Sequence, residues 1–274
     1  MEQTNAERIA HALRRLCLGA LLGAAIVFAA LPAQARDLVV YGEPTLKPVL
    51  VKLGGSWRAK GNSEVHVFVA PTDLSFEQVA REARCDVIFA LAGPVTDAAQ
   101  QRELFDADSK IAVFSNSLVL VGRAAPAGSA DVKALLAGKR LTIANPDRDV
   151  AGSYGLKALR TAGVEVDPAG KGVTVAESAA GVLQMLADGN ADVGIIYASD
   201  ATANPQIHVL ARLDAASYPP IAYVAAQAAH ADDNSDSDGF LAFVTTPEAR
   251  EVITAAGLTP AQTAAAQAQS GRSR

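Results

Sequence analysis

Four short segments carry the residues of this 274-residue chain best suited to chemistry. They are Gly42-Glu43-Pro44-Thr45-Leu46, Ala70-Pro71-Thr72-Asp73-Leu74, Asn145-Pro146-Asp147-Arg148-Asp149-Val150-Ala151-Gly152-Ser153-Tyr154 and Glu177-Ser178-Ala179. Each opens a helical pattern, most of them directly after a strand-like run. The start of a helix leaves backbone N–H groups without intrahelical partners and carries the positive end of the helix dipole. Several such starts directed at one point hold an anion without any formal counter-charge. Pro44 presets the first turn, and Thr45 either caps the helix or offers its hydroxyl inward. Tyr197 ends a strand-like run and adds a phenolic donor. Each start taken alone is ordinary capping; the weight lies in their joint arrangement.

The elements that must bring these segments together alternate along the chain. Strand patterns cover Asp37–Tyr41, Glu64–Val69, Asp86–Ala90, Ser117–Val121, Leu141–Ala144, Ala191–Tyr197 and Ile221–Ala225. Helical spacing covers Leu46–Leu53, Thr72–Glu82, Gly152–Ala162 and Ala179–Asp188, with a later helix at Gly239–Val244. Strand–helix alternation with short turns predicts an α/β fold with mainly parallel sheets covered on both faces. Ligands of such sheets gather at the carboxyl ends of the strands. Two loops, Ala124–Gly128 and Ser217-Tyr218-Pro219-Pro220, have the composition of boundaries. A chain that leaves one lobe, builds a second and returns gives two crossovers there. One lobe is then residues 36–122 joined to 218–262, and the other is 123–217.

Residues 1–35 read as an address. A polar stretch ends in Arg14-Arg15, an apolar run of 16 residues follows from Leu16 to Leu31, and Ala33-Gln34-Ala35 supplies a small-x-small site. That is the order of a secretory signal peptide cleaved after Ala35. The run is shorter than the roughly 20 residues that span a bilayer. Cys17 stands at the start of the apolar run, directly after Arg-Arg-Leu, and not after the run, which excludes a lipoprotein signal. The remaining 239 residues hold 21 Lys+Arg (24 less Arg8, Arg14 and Arg15) and 27 Asp+Glu (29 less Glu2 and Glu7). A net charge near −6 argues against nucleic acid or an anionic membrane surface as partner. Cys85, alone after cleavage, lies in the apolar run Cys85–Phe89 and reads as a packed thiol, not a nucleophile. His66 and His208 sit in strand-like runs as packed or surface residues. His230–Gly239 reads as a solvated acidic linker, not a metal site, and residues 263–274 as a disordered tail.

In order, VVYGEPTL (39–46), CDVIFA (85–90), NSLVLVG (116–122), LTIANPDRDVAGSYGLKAL (141–159), GIIYASDA (194–201) and PPIAY (219–223) give the chain a resemblance to the periplasmic molybdate-binding proteins of ABC importers. The NPD…AGSY and GIIYASDA pieces are the most specific. The resemblance implies a two-lobed periplasmic binding protein of type II, with five-stranded sheets and two crossovers. It also implies a monomer in the periplasm that needs no cofactor and passes molybdate or a related small oxyanion to an ABC permease in the inner membrane. Carried over by motif, Thr45 takes the place of a first serine, Ala151 and Ala179 supply backbone donors, and Tyr197 supplies its hydroxyl. The second serine falls on Pro71, with Thr72 beside it as the replacement donor.

Two departures bear on the ligand. Proline offers neither a hydroxyl nor an N–H. Glu43 stands where the family has a small residue, and a carboxylate 4 Å from an anion costs roughly 4 kcal/mol at an effective dielectric near 20. Glu43 must therefore face away, bind a cation, or mark a changed ligand. Asp149 adds a further negative charge near the mouth, and Arg148 reads as exposed. Molybdate or tungstate is the first expectation. Another small anion, such as a carboxylate, is the alternative, and an enzyme stands last because no cofactor motif or nucleophile–base pair is recognisable.

Overall fold

The computed structural model describes residues 36–125, 131–231 and 235–262. The signal peptide and the tail assigned from sequence lie outside the described residues, as do parts of the Ala124–Gly128 and His230–Gly239 loops. Two mixed sheets organise the rest. The first is built from β1 (Leu38–Gly42), β2 (Val65–Val69), β3 (Val87–Leu91) and β4 (Ile111–Asn116). Between them run a 3-10 turn (Pro44–Leu46), α1 (Lys47–Ala59), α2 (Thr72–Ala80) and α3 (Pro94–Gln101). The second comprises β5 (Leu118–Gly122), α4 (Val132–Leu136), β6 (Leu141–Ala144), α5 (Val150–Thr161), β7 (Val173–Ala176), α6 (Ala179–Ala187), β8 (Val193–Tyr197), α7 (Ala198–Ala203) and β9 (His208–Arg212). A second 3-10 turn (Ala215–Ser217) leads back to β10 (Ile221–Gln227), α8 (Ser235–Phe243), α9 (Pro247–Ala255) and β11 (Thr259–Pro260), which complete the first sheet.

The strand orders are β11-β4-β10-β3-β1-β2 and β7-β6-β8-β5-β9. The α/β architecture with two sheets matches the sequence pattern, but the sheets are not mainly parallel. Only β3-β1-β2 and β7-β6-β8 are parallel; β10 runs antiparallel to β3 and β4, and β5 antiparallel to β8 and β9. The reason lies in the crossovers. A strand that enters from the other sheet has no βαβ helix to return it, so it can pair antiparallel. The first sheet also gains a sixth, two-residue edge strand, β11.

One boundary moves. β5, assigned from sequence to the first lobe, pairs with β8 and β9 in the second sheet. The chain therefore crosses at Ser117, between β4 and β5, and not at Ala124–Gly128. Every residue of β5 is buried, because it lies in the sheet interior between two partners. The return crossing lies between Arg212 and Ile221.

Local sequence explains the packing that positions the site. Along the first turn and α1, Leu46, Val49, Leu50, Leu53 and Trp57 recur at helical spacing and are all buried. Complete burial of each leucine stabilises the lobe by about 2 kcal/mol. Gly54 lets this helix lie on β2, since a Cβ there would stand 2.8 Å from Cβ of Val65. Trp57 packs edge-on against Phe240 and tilted against Phe243 of α8, at centroid distances of 5.7 and 5.6 Å. Cys85 is buried, as its apolar run implies, and burial pushes its thiol well above the ordinary value.

The two crossing segments are bonded together. The Leu118 N–H donates to the Tyr218 hydroxyl at 3.0 Å, Leu213 N–H to the Leu118 carbonyl at 3.0 Å, and Ala198 N–H to the Ser117 carbonyl at 2.8 Å. Tyr218 also stacks on Tyr154 of α5, with centroids 6.0 Å apart.

Candidate functional site

The carboxyl ends of β1, β6, β7 and β8 each run into a helix or 3-10 start within a few residues, so four donor-rich turns lie at the ends of strands. At α5 the approach is close. A Cβ on Gly152 would stand 2.2 Å from the Ala144 carbonyl oxygen at the end of β6, so only glycine lets the first turn of α5 dock there. Asp149 is the N-cap of α5, and its Oδ1 accepts the Ala151 N–H at 2.9 Å. The same carboxylate does more than cap. Its Oδ2 accepts the Ala179 N–H, at the first residue of α6, at 2.9 Å. Its Oδ1 also accepts the Tyr197 hydroxyl at 3.0 Å. Ala151, Ala179 and Tyr197 therefore converge on one anionic group, and that group is a side chain of the chain itself.

Tyr197 is buried, and burial, reinforced by the charge of Asp149, lifts its phenol well above the ordinary value. It stays protonated and acts as a donor. Asp149 thus sits on the donors. Arg148 is exposed and pairs with Glu177 at 3.0 Å, so it does not neutralise Asp149.

Thr45 and Thr72 lie on the first lobe and are not brought onto Asp149. The Thr45 hydroxyl, in the 3-10 turn after β1, donates to Asp200 Oδ1 at 2.7 Å and lies 3.1 Å from Ser199 Oγ. Both partners belong to α7, so Thr45 bonds across the lobes. Asn116, at the end of β4, extends the contact by donating its Nδ2–H to Ser199 Oγ at 2.9 Å. Burial raises the Asp200 carboxyl to about 6, against the Thr45 hydrogen bond, and the Asp149 charge adds to the rise.

Thr72 is the first residue of α2 and is buried, while Pro71 before it is exposed. Its N–H donates to Glu43 Oε1 at 2.7 Å, and its hydroxyl donates to the same oxygen. The Leu91 N–H in turn donates to that hydroxyl at 3.0 Å. Glu43 therefore does not face away. It is half-buried and turned onto Thr72, and burial raises its carboxyl, opposed by the two Thr72 bonds and assisted by the charges of Asp149 and Asp73. Tyr223 of β10 feels Glu43, Asp200 and Asp149 together, and burial before all else raises its phenol. The three carboxylates thus share one region between the lobes.

The pattern of helix starts picks out Thr45, Ala151, Ala179 and Tyr197 but passes over Ser199, Asp200 and Asn116. The signal for the first two is present: Tyr197-Ala198-Ser199-Asp200 is itself a strand end running into a helix start. Asn116 has no such mark, because its role depends on which strand it ends. His66 and His208 are exposed, and His66 pairs with Asp37 at 3.1 Å. Among the described residues no group of three or more histidine, cysteine or acidic side chains is arranged to hold a metal ion. Among the same residues no helix is long and apolar enough to cross a membrane.

Two lobes joined by two bonded crossings, with donor turns at the strand ends between them, define a ligand-binding protein. The family of bacterial extracellular solute-binding proteins matches residues 38–259, and the chain belongs to that family. It is similar to the molybdate-binding protein ModA of Escherichia coli K12, with 26% identity over 259 residues that cover 90% of this chain and 99% of the relative. Its fold is similar to that of the periplasmic molybdate-binding protein of Azotobacter vinelandii, with a TM-score of 0.70 at 20% identity over 82% of this chain and 100% of the other. It is also similar to the tungstate-binding protein TupA of Desulfovibrio alaskensis G20, with a TM-score of 0.60 at 15% identity over 84% of this chain and 100% of the other.

Proposed function

We propose that this chain is an exported solute-binding protein that captures a small tetrahedral oxyanion, molybdate or tungstate, and presents it to an ABC permease in the inner membrane. The observation that carries the reading is the convergence of the Ala151 and Ala179 N–H groups and the Tyr197 hydroxyl on one anionic group at 2.9–3.0 Å. Donors from two helix starts and a neutral phenol suit an anion that must be bound without a counter-ion. Thr45 and Thr72 are the first-lobe donors that would close on the ligand. The similarity to molybdate- and tungstate-binding proteins supports the same ligand class. Residues 1–35 serve as a cleaved export signal, and the mature protein works as a periplasmic monomer.

Calorimetric titration of the mature protein with molybdate, tungstate, sulfate and phosphate tests the reading. Heat of binding with molybdate and tungstate at micromolar protein is expected; silence with both sinks it. A second reading has a specific observation in its favour. The seat holds a carboxylate, that of Asp149, through both of its oxygens. A small organic acid is then the ligand, and a thermal-shift screen of organic acids against the four inorganic anions separates the two.

A further inference from the structure

Each of the five donor residues carried over to the oxyanion is already bonded to a carboxylate of this chain. Thr45 donates to Asp200, Thr72 to Glu43, and Ala151, Ala179 and Tyr197 to Asp149. Asp149 is the informative one. An N-cap accepts an N–H of the first turn of its own helix. The Ala151 bond is such a cap. The other two are not: Ala179 lies 30 positions on, at the start of a different helix that has its own cap in Ser178, and Tyr197 lies 48 positions on. One side chain thus gathers three donors from α5, α6 and β8, and those three are the second-lobe set that the oxyanion reading requires.

We propose that Asp149 sets the affinity of this site: its carboxylate is an internal stand-in for the ligand, and an external oxyanion binds by displacing it. This rests on the oxyanion reading of the same site. Asp149 is half-buried at the start of its helix, so part of its side chain already borders solvent, toward which the displaced carboxylate would turn. The exchange is costly for the ligand. Three satisfied hydrogen bonds must be broken before three are made, and the expelled carboxylate, Glu43 and Asp200 all repel the incoming charge. Arg148, the basic neighbour of Asp149 in sequence, is engaged by Glu177.

The test compares wild type with Asp149→Ser, which keeps a capping hydroxyl too short to reach α6, and with Asp149→Ala. Each is titrated with sodium molybdate by calorimetry at fixed ionic strength. Each is also heated with sodium formate against sodium chloride. Asp149→Ser is expected to bind molybdate on the order of tenfold or more tightly than wild type. Formate is expected to raise the melting temperature of both variants and leave that of wild type unmoved. Where wild type binds molybdate, an affinity in Asp149→Ser equal to or weaker than in wild type overturns the proposal. If no protein responds to molybdate while formate stabilises the variants, the displacement proposal holds and the molybdate reading falls. If no anion affects either variant, the seat is not an anion seat and the proposal falls. Should Asp149→Ala fail to fold, Asp149→Ser carries both arms.

Discussion

Asp200 receives the Thr45 hydroxyl from across the lobes, and burial raises its carboxyl from an ordinary value of 3.8 to about 6. The consequence for stability has a definite sign. Between those two values the folded protein binds more protons than the unfolded chain, so stability falls as pH rises. The contribution is fully present below about pH 4 and lost above about pH 6. Other carboxyls act in the opposite direction; Asp192, held low by Arg140, is one. The difference between wild type and Asp200→Asn isolates the effect. Thermal melts from pH 4 to pH 7 should show wild type losing stability relative to the variant through this window. Parallel curves would mean that Asp200 does not titrate there. The same residue shows where sequence stops being informative. Asp200 follows Tyr197 by three positions, yet nothing in its spacing says that it will be buried against a threonine 155 positions away. For Asp149 the difficulty is different: an aspartate before a helix start looks the same in sequence whether it caps one helix or gathers three elements. Thr45, Ala151, Ala179 and Tyr197 are legible because helix starts after strands are written locally. Which acceptor each of them finds depends on tertiary packing.

At the scale of elements, the first turn of α5 depends on Gly152. A methyl group there would overlap the Ala144 carbonyl, and the atoms it meets, of Ala144 and Pro146, are backbone with little room to give. Gly152→Ala should cost about 3 kcal/mol by overpacking, measured by urea denaturation, and should loosen the Ala151 N–H in hydrogen exchange. A cost within error of zero would show that the turn accommodates the methyl. The strands β4 and β7 escape a reading by alternation for physical reasons. Ile111–Asn116 ends in two polar residues, of which Asn116 serves the crossing, and Val173–Ala176 is a four-residue edge strand with little to bury. The misplacement of β5 has a cause of the same kind. Ala124–Gly128 carries the Pro and Gly that mark turns, whereas the true crossing at Ser117 is a single residue between two strands. The parallel cores of the two sheets are legible from strand–helix alternation, and the antiparallel pairings at the crossings are not.

At the scale of the molecule, two crossings hold the lobes, and they hold each other. Tyr218 on the return segment accepts the N–H of Leu118 on the outgoing one. Tyr218→Phe removes that acceptor and leaves a buried backbone donor unpaired, a loss of about 1–3 kcal/mol. Chemical denaturation should register it, and amide exchange at Leu118 should accelerate. Unchanged stability and exchange would show that the bond does not brace the crossings. The charge pattern belongs to this scale too. Glu43 comes from the first lobe and Asp149 and Asp200 from the second, so bringing the lobes together concentrates negative charge unless a proton or a displaced side chain relieves it.

Trp57 is the chain's one tryptophan, and its place has a practical optical consequence. It lies near the far end of α1, roughly 18 Å along the helix axis from Thr45, wedged among Phe240 and Phe243 of α8. Its emission therefore reports the integrity of the first-lobe core, not events between the lobes. Loss of that packing on denaturation should shift the emission to the red, while addition of a tightly bound anion should leave the wavelength of maximum emission unchanged. A fluorescence titration that stays flat is the expected result for this molecule even at saturation.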